Sequence, residues 1–282
     1  KIIECPRDAM QGIKSSIPTE RKIAYIQSLL GCGFDTIDFG SFVSPRAIPQ
    51  MADTAEVLSN LDLTNSKSKL LAIVANVRGA NEASLHHNID YLGYPFSISE
   101  NFQMRNTHKK IAQSINILSD ILEIAQATNK EVVTYVSMGF GNPYGDPWSV
   151  EVVGEWTEKL AEMGARILSL SDTVGSSTPE DISYLFTHLI PKYPQVEFGA
   201  HLHTTPGKWH EKIDAAYKAG CRRFDGAIKG FGGCPMARDE LTGNMPTEKM
   251  LSYFTENKVD TGVQWMVFEA AYNKASELFS SY

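Results

Sequence analysis

Short apolar runs alternate with longer amphipathic stretches from one end of the chain to the other. The β-rich runs fall at 2–5 (IIEC), 36–39 (TIDF), 70–75 (LLAIVA), 89–93 (IDYLG), 132–136 (VVTYV), 166–170 (RILSL), 196–200 (VEFGA) and 223–227 (RFDGA). Several are apolar on both faces, the pattern of strands covered on both sides in a parallel sheet. Between them, segments 19–31, 107–128, 150–163, 179–190 and 209–219 carry helical periodicity. Thr178, Pro179, Glu180 and Asp181 form a helix start, with the threonine as cap and the proline in the first turn. Glycines in "GCG", "EMGA" and "KAGC" stand where helices would end. Eight strand–helix units in one unbroken series predict an α/β fold of the (β/α)₈ TIM-barrel type. No linker or composition break interrupts the series, so residues 1–282 read as a single catalytic domain. An open doubly wound sheet is the alternative, but no G-x-G-x-x-G follows the first strand. An extra C-terminal helical segment, from about 263 to 282, either packs on the barrel or joins a dimer contact.

A length of 282 residues suits one large barrel or two average domains, so only the periodicity decides between them. Hydrophobic content of 43% and charged content of 21% are those of an ordinary globular protein. The net charge of −7, with no long run of Lys and Arg, argues against a nucleic-acid partner. The four cysteines (Cys5, Cys32, Cys221, Cys234) form no C-x-x-C pair, as expected of reduced thiols in a cytoplasmic compartment. No secretory leader or membrane-spanning apolar stretch is visible, although the chain begins at Lys1 rather than at methionine.

The candidate chemistry gathers at strand ends. In "HLHTTPG", His201 and His203 are two apart, so on a strand both point to one side. They follow the seventh strand, on the face where barrel active sites are built. Two imidazoles on one side suit Zn, Mn, Fe or Ni, and a harder ion if a carboxylate helps; two exposed histidines at a strand end are the plainer alternative. In "ECPRDAMQ", Arg7 and Asp8 follow the first strand. Asp8 offers a hard oxygen ligand, and Arg7 a fixed charge able to hold a developing oxyanion. An isolated Arg-Asp pair is ordinarily a surface ion pair. Asn244 follows the eighth strand with a neutral amide oxygen. Strands seven, eight and one are neighbours in a closed barrel, so Asp8, His201, His203 and Asn244 can converge on one ion. One aspartate, two histidines and an asparagine leave positions for substrate oxygens and favour Mg²⁺ or Mn²⁺; a structural zinc site is normally closed and sulfur-rich. Near the C-terminal end, "GFGGCPMARDELTGN" places Cys234 behind Gly230, Gly232 and Gly233 on a backbone able to approach a ligand closely.

The segments "ECPRDAMQ", "SFVSPRAIPQMADTAEVL", "YVSMGFGNPY", "LSDTVGSSTP", "HLHTTPG" and "GFGGCPMA…TGN" together resemble the 3-hydroxy-3-methylglutaryl-CoA lyase family of metal-dependent barrels. They run in order from residue 4 to about 254. The resemblance implies metal ligands at Asp8, His201, His203 and Asn244, a catalytic arginine at Arg7 and a loop cysteine at Cys234. It places an active-site carboxylate at Asp38 and another at Asp172, and substrate contacts at Gln11 and Lys14 beside Arg7. The implied reaction is retro-Claisen cleavage of an acyl-CoA substrate to acetyl-CoA and acetoacetate by a cytoplasmic homodimer, with no nucleic acid or membrane involved. His201 or Asp38 is the candidate base, and Cys234 an acid–base partner. The basic run Arg105 to Lys110 ("RNTHKK") opens a predicted helix and is a candidate for the coenzyme A phosphates, against the plainer reading of a solvated charged face.

Three departures from the family pattern stand out. Thr204 occupies the place of an aspartate after His-x-His, and loss of an aspartate that orients the ligands costs roughly 10–100-fold in metal affinity or activity. The Cys234-to-Asn244 stretch is one residue longer and carries Arg238, Asp239 and Glu240. Asp38 is one methylene shorter than the usual glutamate. Related barrels that run Claisen condensations or aldol cleavages share the aspartate and His-x-His, but "GFGGCPMA" speaks against them. A barrel that only binds a CoA metabolite is the remaining alternative, resting on Thr204.

Overall fold

The computed structural model describes residues 1–233 and 242–282. Eight parallel strands close into a ring: β1 (Ile2–Glu4), β2 (Thr36–Ser41), β3 (Lys69–Ile73), β4 (Tyr91–Ser97), β5 (Glu131–Ser137), β6 (Ile167–Asp172), β7 (Glu197–Thr204) and β8 (Arg223–Gly226). Each pairs with the next, and β8 returns to β1, so the expected (β/α)₈ barrel is the fold found. A ninth strand of two residues, β9 (Gly243–Asn244), runs antiparallel to the end of β7. The helices around the ring are α1 (Pro6–Gln11), α2 (Thr19–Leu30), α3 (Thr54–Ser59), α4 (Val77–Ser84), α5 (Glu100–Thr107), α6 (Ile111–Ala127), α7 (Val150–Glu162), α8 (Pro179–Lys192), α9 (Trp209–Lys218), α10 (Thr247–Glu256) and α11 (Trp265–Phe279). The start read at Thr178 is present: its Oγ1 accepts from Asp181 N at 3.1 Å, with Pro179 in the first turn. Among the described residues no helix is long and apolar enough to cross a membrane.

Two apolar compartments follow from strands buried on both sides. Leu71, Ile73, Tyr91, Val133, Tyr135 and Ile167 pack inside the ring. The larger compartment lies between ring and helices and includes Ile37, Leu92, Leu118, Ile121, Leu185 and Ile213. Each such aliphatic side chain contributes about 1.5–3 kcal/mol by leaving water. Inside the ring, two glycines make room for large neighbours. A Cβ at Gly93 would lie 3.2 Å from the Tyr135 ring, and one at Gly199 would lie 3.1 Å from Arg223 Cδ.

Several boundaries differ from the sequence reading by a residue or more, and three have a clear physical reason. β7 extends to Thr204, so the His-x-His lies within the strand, because β6 and β8 pair with it at His201 and β9 at His203 and Thr204. β4 runs on to Ser97 because β5 pairs with it along its whole length. The basic run 105–110 does not open a helix: Arg105 lies in the last turn of α5, which ends at left-handed His108 (φ 56°). The start of α6 has its own acceptors, since Ile111 N donates to Glu100 Oε2 (3.0 Å) and Lys110 N to Gln113 Oε1 (2.9 Å). The C-terminal helix α11 lies along α2, with Phe268 edge-on to Phe34 and Phe279 edge-on to Tyr25. Phe279 also stacks on Phe231, at 4.3 Å between centroids.

Glu4, at the end of β1, ties three elements together. Its Oε1 accepts from Ile228 N (2.9 Å) after β8, and its Oε2 from Thr247 Oγ1 (2.6 Å) at the start of α10. Burial pushes its carboxyl from an ordinary 4.5 up to about 8, against those two hydrogen bonds. The folded protein therefore keeps a proton that the unfolded chain releases at much lower pH. The stability tied to this group is intact below about pH 4.5 and declines as pH rises toward 8. Glu4→Gln stays neutral throughout, so its melting temperature should gain on the wild type between about pH 5 and pH 8, as scanning calorimetry would read. A difference that does not change with pH would contradict this.

Candidate active site

The site is assembled where β7, β8 and β1 end side by side. Cys5 N donates to Gly226 O (2.8 Å) as the last link of the β1–β8 ladder, and Pro6 then starts α1 at the rim. This turn lifts Arg7, Asp8 and Gln11 to the mouth of the ring. Arg7 Nε donates to both carboxylate oxygens of Asp38 (3.1 and 3.0 Å), Nη2 donates to Asp38 Oδ2, and Nη1 to Asp8 Oδ1 (3.0 Å). Asp8 Oδ1 also accepts from Gln11 Nε2 (2.7 Å), and Asp8 Oδ2 from Asn244 Nδ2 (2.6 Å). Asn244 Nδ2 further donates to Phe231 O (2.8 Å), which leaves the amide oxygen as the atom to offer a cation.

Electrostatics follow from this bonding. Burial alone would lower the pKa of Arg7, but Asp38 and Asp8 outweigh it and raise it, so the guanidinium stays charged. Burial pushes Asp38 up to about 6 against the pull of Arg7. Asp8 is partly buried, yet Arg7, the two histidines and Asn244 outweigh desolvation and bring it below the usual carboxylate range. Burial and the neighbouring His201 lower His203 to about 4, so it is neutral near pH 7. His201 moves the other way: burial opposes its charge, but Asp225 and Asp8 prevail and raise it.

Each imidazole brings a ring nitrogen close to Asp8. His203 Nδ1 donates to Thr173 O (3.0 Å), so Nε2 carries the lone pair, and it is buried with no hydrogen-bond partner among the described residues. His201 Nδ1 meets Asp225 Oδ2 at 3.1 Å. One ligand atom each from Asp8, His201 and His203 lie within 4.8 Å of one another, and the orphaned Nε2 of His203 fits a cation held there. Cys5, His201 and Asp225 form a second group as close. It suits an ion poorly, because burial pushes the Cys5 thiol well up and His201 Nδ1 is already bonded to Asp225.

Among the residues singled out in the sequence, Arg7, Asp8, Gln11, Asp38, His201, His203 and Asn244 come together. Asp172 is near but committed elsewhere. Its carboxylate accepts from Lys212 Nζ (2.7 Å), Ser177 N (3.1 Å) and Ser177 Oγ (2.5 Å), which ties the loop after β6 to α9. Lys14 is exposed on the turn after α1, outside the bonded cluster. Cys234 lies outside the described residues. Thr204 Oγ1 donates to Thr205 O (3.0 Å), turned to the backbone rather than to an imidazole. Two further charged residues, not marked by any motif, border the cluster. Lys212 is buried and donates to Asp172, Gly175 O and His203 O. Asp225 is buried beside His201. A carboxylate two residues after Arg223, on a strand whose pairing puts both on one face, was the available signal.

Beside the site, a cavity of about 320 Å³ opens between the loops after β5, β6 and β7, lined in part by Asn142, Val174, Ser176, Thr205, Lys208 and Thr242. Another of equal volume, with Lys69, Lys130 and Glu131 in its wall, lies at the opposite end of the ring, away from this chemistry.

A closed (β/α)₈ ring with charged groups converging at the C-terminal ends of its strands defines a barrel enzyme. The HMGL-like family model matches residues 2–273, and the chain belongs to that family. It is 32% identical over 259 residues to the hydroxymethylglutaryl-CoA lyase YngG of Bacillus subtilis, covering 92% of this chain and 86% of that one. An HMG-CoA lyase structure from Brucella melitensis superposes with a TM-score of 0.91 at 31% identity, over 99% of this chain and 98% of that one. An HMG-CoA lyase from A. baumannii, solved with coenzyme A and 3-methylmalate, gives 0.90 at 29% identity, over 99% and 90%.

The brace at Asp172 makes a stability prediction. Lys212→Met strands a buried carboxylate and should cost about 3–5 kcal/mol in urea unfolding. Adding Asp172→Asn should recover part of that loss; no recovery in the double variant would show that the pair does not act as a unit.

Proposed function

We propose that this enzyme of the HMGL-like family cleaves 3-hydroxy-3-methylglutaryl-CoA to acetyl-CoA and acetoacetate, and that Asp8, His201, His203 and Asn244 hold its divalent cation. The family is divalent-metal dependent. The observation that carries the reading is the convergence of Asp8, His201 and His203 beside a buried, doubly paired Arg7. The mixed oxygen and imidazole set favours Mg²⁺ or Mn²⁺, with Mn²⁺ better matched to two nitrogens. When bound, the ion supplies Lewis acidity that makes the tertiary hydroxyl of the substrate easier to deprotonate.

The protein residues then have defined tasks. Asp38, raised to about 6, lies near the working range of a general base; it is preferred to His201, whose Nδ1 is on Asp225 and whose Nε2 is assigned to the cation. Loss of the hydroxyl proton lets the C2–C3 bond break. The oxygen becomes the ketone of acetoacetate, and the bonding pair becomes the enolate of acetyl-CoA. Arg7, fixed by Asp38 and Asp8, is placed to hold the growing negative charge without reorganising. Cys234 is assigned the proton that returns to the enolate carbon. Gln11 orients Asp8 and is the substrate contact nearest the cluster. The described cysteines Cys5, Cys32 and Cys221 are buried free thiols, which supports a reducing, cytoplasmic setting. A homodimer is the proposed assembly, to be read by light scattering.

The direct test is acetoacetate release from 3-hydroxy-3-methylglutaryl-CoA by chelator-treated protein. Release is expected on adding Mg²⁺ or Mn²⁺ and not before; no release with either ion would sink the lyase reading. Cys234→Ala is expected to bind the ion normally and lose most turnover. Wild-type turnover in that variant would remove Cys234 from the chemistry.

A further inference from the structure

The resemblance assigns the residue after His-x-His to an aspartate, and this chain has Thr204 there, turned away to Thr205 O. The structure contains a different carboxylate against the histidines. β7 and β8 pair in a register that sets Asp225 opposite His201. Neighbouring strands lie about 4.8 Å apart, and side chains opposite each other face the same side of the sheet. The backbone ladder alone therefore brings Asp225 to His201. Its Oδ2 lies 3.1 Å from His201 Nδ1 and 3.5 Å from Ser169 Oγ, and its side chain is fully buried.

We propose that Asp225 is a positioning residue for the metal centre: its carboxylate keeps the His201 proton on Nδ1, so that Nε2 presents its lone pair to the cation. Without an acceptor at Nδ1, the neutral ring is free to carry its proton on either nitrogen, and the form protonated at Nε2 cannot ligate. A carboxylate behind a ligating imidazole also makes it a stronger donor. The other imidazole, His203, has the same need met by a carbonyl, Thr173 O. Arg223 lies buried in the same interior, two residues earlier on β8, and Asp225 is the leading charge that keeps it cationic against burial. Asp225 thus faces a ligand on one side and a buried cation on the other. This arrangement carries the orienting task with Thr204 in place of the aspartate. The inference rests on the metal-ligand reading above.

The test uses Asp225→Asn, whose amide can donate to Nδ1 and so drive the ring proton to Nε2. The full-length protein is stripped with chelator and titrated with Mn²⁺ by calorimetry. The dissociation constant should rise about 10–100-fold over wild type. In ¹⁵N-histidine spectra of the metal-free protein at alkaline pH, the His201 proton should move from Nδ1 to Nε2. Asp225→Asn removes the leading charge that offsets the burial of Arg223, whose ion-pair contact is Glu197 Oε1 at 3.8 Å, so the Arg223→Met/Asp225→Asn double variant is measured beside it; the same two changes are expected there. A dissociation constant within twofold of wild type and an unmoved tautomer, in either folded variant, would overturn the proposal, even if the melting temperature fell. Absence of Mn²⁺ binding in the wild type would overturn the ligand assignment itself, and the proposal with it.

Discussion

A guanidinium held almost out of water, at the mouth of the ring, constrains everything around it. Arg7 is 7% exposed, and a charge so placed is tolerated only when paired and hydrogen-bonded. The structure meets this with carboxylates from two elements: Asp38 from β2, and Asp8 from the same helix as Arg7. Asp8 is shared further, with Gln11 and with Asn244 on β9. A shift of Arg7 would therefore disturb Asn244, although 237 positions of sequence separate them. The same sharing keeps Asp8 ionised, as a ligand for a hard cation must be.

That network exists because the ring closes. β8 pairs with both β1 and β7, which sets α1 beside the end of the His-x-His strand. The two-residue β9 then folds back on β7 and lays Asn244 opposite His203. With His201 paired to β6 and β8, both histidines are held within a paired strand rather than on a loose end. Rigid backbone under the donor atoms matters because a site displaced by an ångström loses much of its effect.

The ring was legible in the sequence because its strands are apolar on both faces and its helices amphipathic, two patterns that differ in period. The convergence of Asp8, His201, His203 and Asn244 was legible because they lie at the ends of strands that a closed barrel makes neighbours. β9 was not legible, since two residues carry no periodicity and their pairing depends on the tertiary turn. The split of the 107–128 helix at His108 was missed because a left-handed histidine leaves no mark on hydrophobic spacing. Lys212 and Asp225 were missed for a related reason. A charged residue in an amphipathic helix or strand is read as facing water, and only the three-dimensional packing shows Lys212 pointing at Asp172 and His203 O. Asp172 was legible as a polar residue at a strand end, and its bonds to Lys212 and Ser177 were not.

The account stands on one cation held by residues from β7, β9 and α1. Anomalous diffraction from crystals grown with Mn²⁺ tests this most directly. The predicted result is a single strong peak coordinated by Asp8, His201 Nε2, His203 Nε2 and the amide oxygen of Asn244, with Asp225 still on His201 Nδ1. A peak among Cys5, His201 Nδ1 and Asp225 instead, or no peak near Asp8, would contradict it.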